Sequence, residues 1–169
     1  DESFTPQPQM VDTWTQSDDG MNWSFTLRDG LSWHDGSPVT AADCVASLER
    51  WGKRDGMGQA LMKHMGSMTA IDEKTFEMKL AKPFGLVLES IGKISSNVPF
   101  MMPARVAATD AFEQISDFTG SGPFMFNKDE WVPGSKVVYK KFEGYNPRSE
   151  PASAAAGGKL ALVDAVEWT

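Results

Sequence analysis

Few residues in this sequence are placed to do chemistry. His34-Asp35 is the one place where an imidazole stands next to a carboxylate, as a general base and its orienting partner would. Neighbouring residues of a strand point to opposite faces, so the two would not readily share a proton. No serine or cysteine occupies a nucleophile motif such as Gly-x-Ser-x-Gly. Asp35-Gly36 reads better as a turn. Gly120-Ser121-Gly122 lacks both the Gly-Lys-Ser/Thr ending of a phosphate loop and the spacing of a dinucleotide fingerprint. Its glycines are expected to let two chain segments meet closely. Asp18-Asp19-Gly20 starts like a calcium loop, but the further oxygen ligands are not at the required positions. The single cysteine, Cys44, excludes an internal disulfide and a cysteine-rich zinc cage. Two histidines leave little for a histidine metal site. No catalytic residue, metal or cofactor is expected. Ten methionines make the stretch 53–66, with Met57, Met62 and Met65 among three glycines, a mobile-looking candidate for an adaptable binding surface. The competing reading of those methionines is core filler.

These residues need elements to hold them. Val11 to Thr15 reads as a strand, Ser17-Asp18-Asp19-Gly20 as a turn, and Trp23, Phe25 and Leu27 as the buried face of a second strand. A short strand carrying Leu31 and Trp33 is expected between two Asp-Gly pairs. Thr40 stands three residues before Asp43, the spacing of a capping box. Ala41, Cys44, Val45, Leu48 and Trp51 then follow at helical intervals up to Gly52, which puts Cys44 in the core as a small hydrophobe. Met68 to Ile71 and Thr75 to Leu80 read as a second hairpin. Helices are expected over 84–91 and 103–112, strands at 124–126 and 136–142, and a Pro/Ala/Gly/Ser loop over 146–158. The alternation Val163-Asp164-Ala165-Val166-Glu167-Trp168 predicts a closing strand. Because that pattern stops abruptly, the chain is expected to be a piece of a longer protein.

The 169 residues suggest one domain or two small ones. With 41% hydrophobic and 23% charged residues the composition is that of a folded globular chain. A net charge of −7 argues against a nucleic-acid partner and against a polybasic membrane anchor. No apolar run reaches the roughly 18 residues of a membrane span.

One long segment carries a resemblance. It runs Asp18-Asp19-Gly20 … Phe25-x-Leu27-Arg28-x-Gly30-Leu31-x-Trp33-His34-Asp35-Gly36-Ser37-Pro38-Val39-Thr40-Ala41-x-Asp43. It closely resembles the peptide-class, family 5 extracellular solute-binding proteins of ABC importers, which serve dipeptides, oligopeptides, nickel and related solutes. Ala70-Ile71-Asp72 … Thr75-Phe76, Gly120-Ser121-Gly122-Pro123-Phe124, Asn146-Pro147 and Val163-Asp164-x-Val166 continue the likeness over essentially the whole chain. Serine replaces the usual threonine at Ser37 and Ser121. The aromatic pair usual after Asn146-Pro147 is replaced by Arg148-Ser149 and an Ala/Gly-rich insertion.

The resemblance implies a mixed α/β (α+β) fold of the type II periplasmic-binding-protein kind, two lobes closing on a solute. This chain would be a fragment of the first lobe. Residues 1–104 would be its extra subdomain and residues 105–169 part of the hinge-proximal sheet, with the second lobe missing. The implied role is capture of a small solute, best guessed as a peptide, for delivery to the membrane subunits of an ABC permease. The implied location is the periplasm, with membrane association through the permease. Nickel chelates, sugars and other small solutes remain alternatives, and a small hydrolase using His34 and Asp35 is a remoter one. The ligand is expected to meet two loops at the cleft edge, Met57-Gly58-Gln59 and Ser95-Ser96-Asn97. The uncovered cleft surface of an isolated lobe leaves self-association open.

Overall fold

A computed structural model describes residues 1–169. The chain first builds an antiparallel hairpin, β1 (Val11–Gln16) and β2 (Asn22–Leu27). Its turn works by side-chain chemistry. Asp19 accepts from the Met21 N–H at 3.0 Å, and Gly20 takes φ +69°, which a side chain would resist. A second hairpin, β3 (Met65–Ala70) and β4 (Thr75–Leu80), adds to the first through β2 and β4. The resulting sheet has the order β1-β2-β4-β3. Phe25 pairs with Phe76 in register, their rings stacked at 5.1 Å. Between the hairpins runs α1 (Ala41–Gly52), which lays Cys44, Leu48 and Trp51 into a core with Phe25, Phe76 and Met78.

The predicted capping box is present. Thr40 accepts from the Asp43 N–H at 3.3 Å, and Asp43 accepts from the Thr40 N–H at 2.8 Å. Asp43 does more than cap its own helix. It also accepts from the Trp33 indole at 3.2 Å and from the Ala104 N–H at 2.7 Å. A buried carboxylate is tolerable only with such donors. Asp43 therefore fixes the turn before α1 and the start of a distant helix at one point.

Several expectations need correction. The stretch 53–66 is not a mobile loop: it contains α2 (Gly56–Met62) and the first residues of β3. The segment 84–91 is helical only over α3 (Val87–Ile91), and 103–112 only over α4 (Ala104–Ala107). At α4 the helix gives way to backbone turns closed by Thr109 and Glu113. The strand expected at Leu31 and Trp33 is reduced to a single bridge between Ser32 and Pro38. Its two backbone bonds run from the Trp33 N–H to the Ser37 carbonyl at 2.8 Å and from the Val39 N–H to the Leu31 carbonyl at 3.2 Å.

A separate antiparallel sheet, of order β5-β6-β7, closes the chain: β5 (Phe124–Phe126), β6 (Val137–Lys141) and β7 (Ala165–Trp168). The loop after β6 folds back as a strap. Arg148 donates to the Val11 carbonyl at 2.9 Å, Asn146 donates to the Asp29 carbonyl at 3.0 Å, and Arg28 donates to the Asn146 carbonyl. The Arg148 guanidinium also holds the Glu150 carboxyl down at about 2.

Candidate functional site

Trp51, the last large residue of α1, organises one edge of the molecule. Its ring is buried and its indole N–H donates to the Asn97 carbonyl at 2.6 Å. The face of the same ring receives α2. A Cβ added at Gly58 would lie 3.1 Å from two of the ring carbons and 3.0 Å from the Gly52 Cα. Glycine is thus what lets the two helices touch here.

Asp55 makes a second tie between the same segments. One of its carboxylate oxygens accepts from the N–H groups of Met57 and Gly58 at 2.9 and 3.0 Å, capping α2. The other accepts from the Lys93 ammonium at 2.7 Å. The hydrogen bond from Lys93, with help from the two backbone donors, lowers the Asp55 pKa against the opposing effect of burial. Only 5% of the Asp55 side chain is exposed, so this ion pair is shielded from solvent.

The two predicted ligand segments are therefore held to common anchors, although one of them is helical. Met57 is half-buried, Gly58 is buried as a packing contact, and Gln59 is exposed with its amide donating to the Lys53 carbonyl at 3.1 Å. Ser95, Ser96 and Asn97 are exposed, and Ser96 takes φ +62°. No hydrogen bond within the chain engages the Ser95 or Ser96 hydroxyl or the Asn97 amide. Three polar side chains on a bent, exposed backbone are free to meet a partner.

None of these six residues lines the large groove, of about 1180 Å³, although Lys93, Ile94 and Val98 beside the 95–97 loop do. Its walls include Phe25, Leu48 and Phe76, which are core residues of the sheet, together with Phe100, Phe118 and Trp131. A groove floored by a core is uncovered packing surface first and a ligand cavity second.

His34 and Asp35 do not form a dyad. The Asp35 carboxylate accepts from the Ser37 N–H at 3.0 Å and from Arg105 at 3.0 Å, while the His34 ring contacts the backbone of residues 120–122. Cys44 is 3% exposed, and burial pushes its thiol up to about 12. Sequence reasoning missed Asp55 and Lys93. The signal available was Asp55 itself, a capping residue ahead of a run that its glycines made look unstructured.

Residues 5–169 match the model of the bacterial extracellular solute-binding proteins, family 5 middle region. A Sinorhizobium fredii protein named as a probable peptide ABC transporter periplasmic-binding protein, y4tO, is 45% identical over 168 residues, which are 99% of this chain and 31% of that protein. The probable D,D-dipeptide-binding periplasmic protein DdpA of Escherichia coli is 34% identical over 133 residues, 76% of this chain and 25% of that one. Among solved structures, AgaA of Agrobacterium (strain R10) in complex with agropinic acid superposes with a TM-score of 0.71 at 27% identity, over 96% of this chain and 30% of that one. The fold is that of the type II periplasmic binding proteins. The chain spans less than a third of each of these relatives.

Proposed function

This chain belongs to the family 5 bacterial extracellular solute-binding proteins, and we propose that it forms part of the first lobe of a solute clamp that serves an ABC importer. On this reading, residues 1–104 are an extra subdomain of that lobe and residues 105–169 part of its hinge-proximal sheet unit. The division is supported by two separate sheets, one drawn from strands between Val11 and Leu80 and the other from strands between Phe124 and Trp168. The clamp grips its solute and leaves it chemically unchanged. Two lobes close about a hinge, and the closed form meets the membrane subunits of a permease outside the cytoplasmic membrane. The apolar groove is then surface that further polypeptide of the same protein covers. Left bare, it favours self-association.

The observation that carries the site is the polar edge pinned by Trp51, where Ser95, Ser96 and Asn97 present unengaged side chains next to Met57-Gly58-Gln59. Such groups suit a ligand with its own backbone donors and acceptors, and a peptide has them. The 45%-identical relative, a probable peptide-binding protein, supports that class. The likeness to AgaA, solved with agropinic acid, favours a second reading in which the solute is a small organic acid of that kind.

The test begins with mass spectrometry of the solute that co-purifies with the intact protein. Calorimetry follows, with alanine at Ser95, Ser96 and Asn97 together. Affinity is expected to fall by about tenfold, as for one or two lost hydrogen bonds, with an unchanged unfolding midpoint. A ligand-bound structure with both segments far from the solute removes the assignment. Tight solute binding by residues 1–169 alone refutes the single-wall reading.

A further inference from the structure

His34 sits where the turn before α1 meets the loop that leads into β5. Three hydrogen bonds join the two. The His34 N–H donates to the Gly120 carbonyl at 2.8 Å, the Gly120 N–H donates to His34 Nδ1 at 3.2 Å, and His34 Nε2 lies 3.0 Å from the Gly122 carbonyl oxygen. Phe142, at the end of β6, meets the ring edge-on at 5.0 Å. The fit admits no side chain at residue 120, since a Cβ there would lie 3.1 Å from His34 Cε1.

The partners dictate the state of the ring. A carbonyl can only accept, so Nε2 carries a proton. A backbone N–H can only donate, so Nδ1 carries none. We propose that His34 is a clasp between the four-stranded and three-stranded sheets, that its neutral Nε2–H tautomer is the closed form, and that uptake of a second proton at Nδ1 opens the Gly120 bond. Protonation would set two N–H donors face to face.

The charged groups around the clasp are already engaged with one another. On the His34 side, Asp35 accepts from Arg105 of α4 at 3.0 Å. On the loop side, Asp117 accepts from the same Arg105 at 3.2 Å. Beside Phe142, Lys141 and Glu143 pair at 3.1 Å. No carboxylate contacts the His34 ring to hold an imidazolium in place. This inference does not depend on which solute the protein binds.

Nitrogen-15 spectra of the intact protein labelled at histidine test it, with His34 assigned by its absence in His34→Gln. The expected result is the Nε2–H tautomer at neutral pH. As acid protonates His34, exchange of the Gly120 amide, corrected for the intrinsic slowing of amide exchange in acid, is expected to quicken about fivefold, the worth of one hydrogen bond. Gly120→Ala, which keeps the histidine but displaces the ring, should give the same faster exchange at neutral pH and disturb the tautomer signal. An Nδ1–H tautomer, or a protonated His34 with Gly120 exchange unchanged, overturns the proposal.

Discussion

The Trp51 indole N–H reaches the Asn97 carbonyl at 2.6 Å and so ties the end of one helix to an exposed loop 46 residues away in sequence. The bond gives the 95–97 loop an anchor that its own composition does not supply. Two serines and an asparagine have no apolar content with which to hold a position. Their placement is lent by α1, which is itself fixed by the core beneath it.

Trp51→Phe removes the indole N–H and leaves a smaller aromatic ring against Gly58. The lost hydrogen bond and the volume removed from a buried site are together expected to cost about 1–3 kcal/mol by denaturant unfolding. Hydrogen exchange over 94–98 should quicken more than that of α2. Equal loosening of α2 would show that the indole N–H is not specific to the loop.

Gly58 and Gly56 should respond oppositely to alanine. In a helix, alanine is favoured over glycine by up to about 1 kcal/mol. At Gly56 nothing lies within 4 Å of an added Cβ, so Gly56→Ala is expected to be neutral or stabilising by about 0.5 kcal/mol. At Gly58 the added carbon meets the Trp51 ring at 3.1 Å and the Gly52 backbone at 3.0 Å. Neither can swing aside, so Gly58→Ala is expected to destabilise by about 1–3 kcal/mol. Thermal midpoints of the two variants check the contrast.

Those glycines also explain what could and could not be read from the sequence. The hairpins were legible because Trp23, Phe25 and Leu27 alternate strictly and Asp19-Gly20 supplies turn chemistry. The first helix was legible because Thr40 and Asp43 announce it. The second helix was hidden, because glycine read as a breaker when at Gly58 it serves close packing. The longer helix expected around α4 failed for another reason. The 109–113 backbone is held by Arg50 and Arg54, whose guanidinium groups take the carbonyls of Thr109, Asp110, Ala111 and Glu113. The His34 clasp was out of reach altogether. Its partners are backbone atoms 86 and 88 residues away, and a backbone atom leaves no mark in the sequence.

Cys44 should be silent toward thiol reagents in the folded protein. Burial disfavours the thiolate, which is the reactive form, and pushes the thiol up to about 12. A disulfide-exchange reagent at pH 8 is expected to label it only as the chain unfolds, so that labelling rates fall on the denaturant unfolding curve. Rapid labelling under native conditions would mean that α1 lifts off the sheet locally.

The Asp55–Lys93 pair predicts an acid-labile edge, and the sign follows from the direction of the shift. The hydrogen bond from Lys93 lowers the Asp55 pKa in the folded state. A carboxyl lowered by folding adds stability that is complete above its unfolded value, about 3.9, and is lost as pH falls through the folded value below it. The wild-type protein should therefore lose part of its stability below pH 4 through this group. Asp55→Asn keeps an oxygen to cap α2 but no charge for Lys93, so its deficit should be present at pH 7 and shrink toward acid. Asp55→Ala loses the cap as well, and about 2–4 kcal/mol is expected at pH 7 for a buried pair broken on one side. Unfolding of the three proteins between pH 3 and 7 checks this. Parallel curves for wild type and Asp55→Asn would mean that the ammonium contributes nothing, and that the backbone donors of Met57 and Gly58 alone hold the carboxylate.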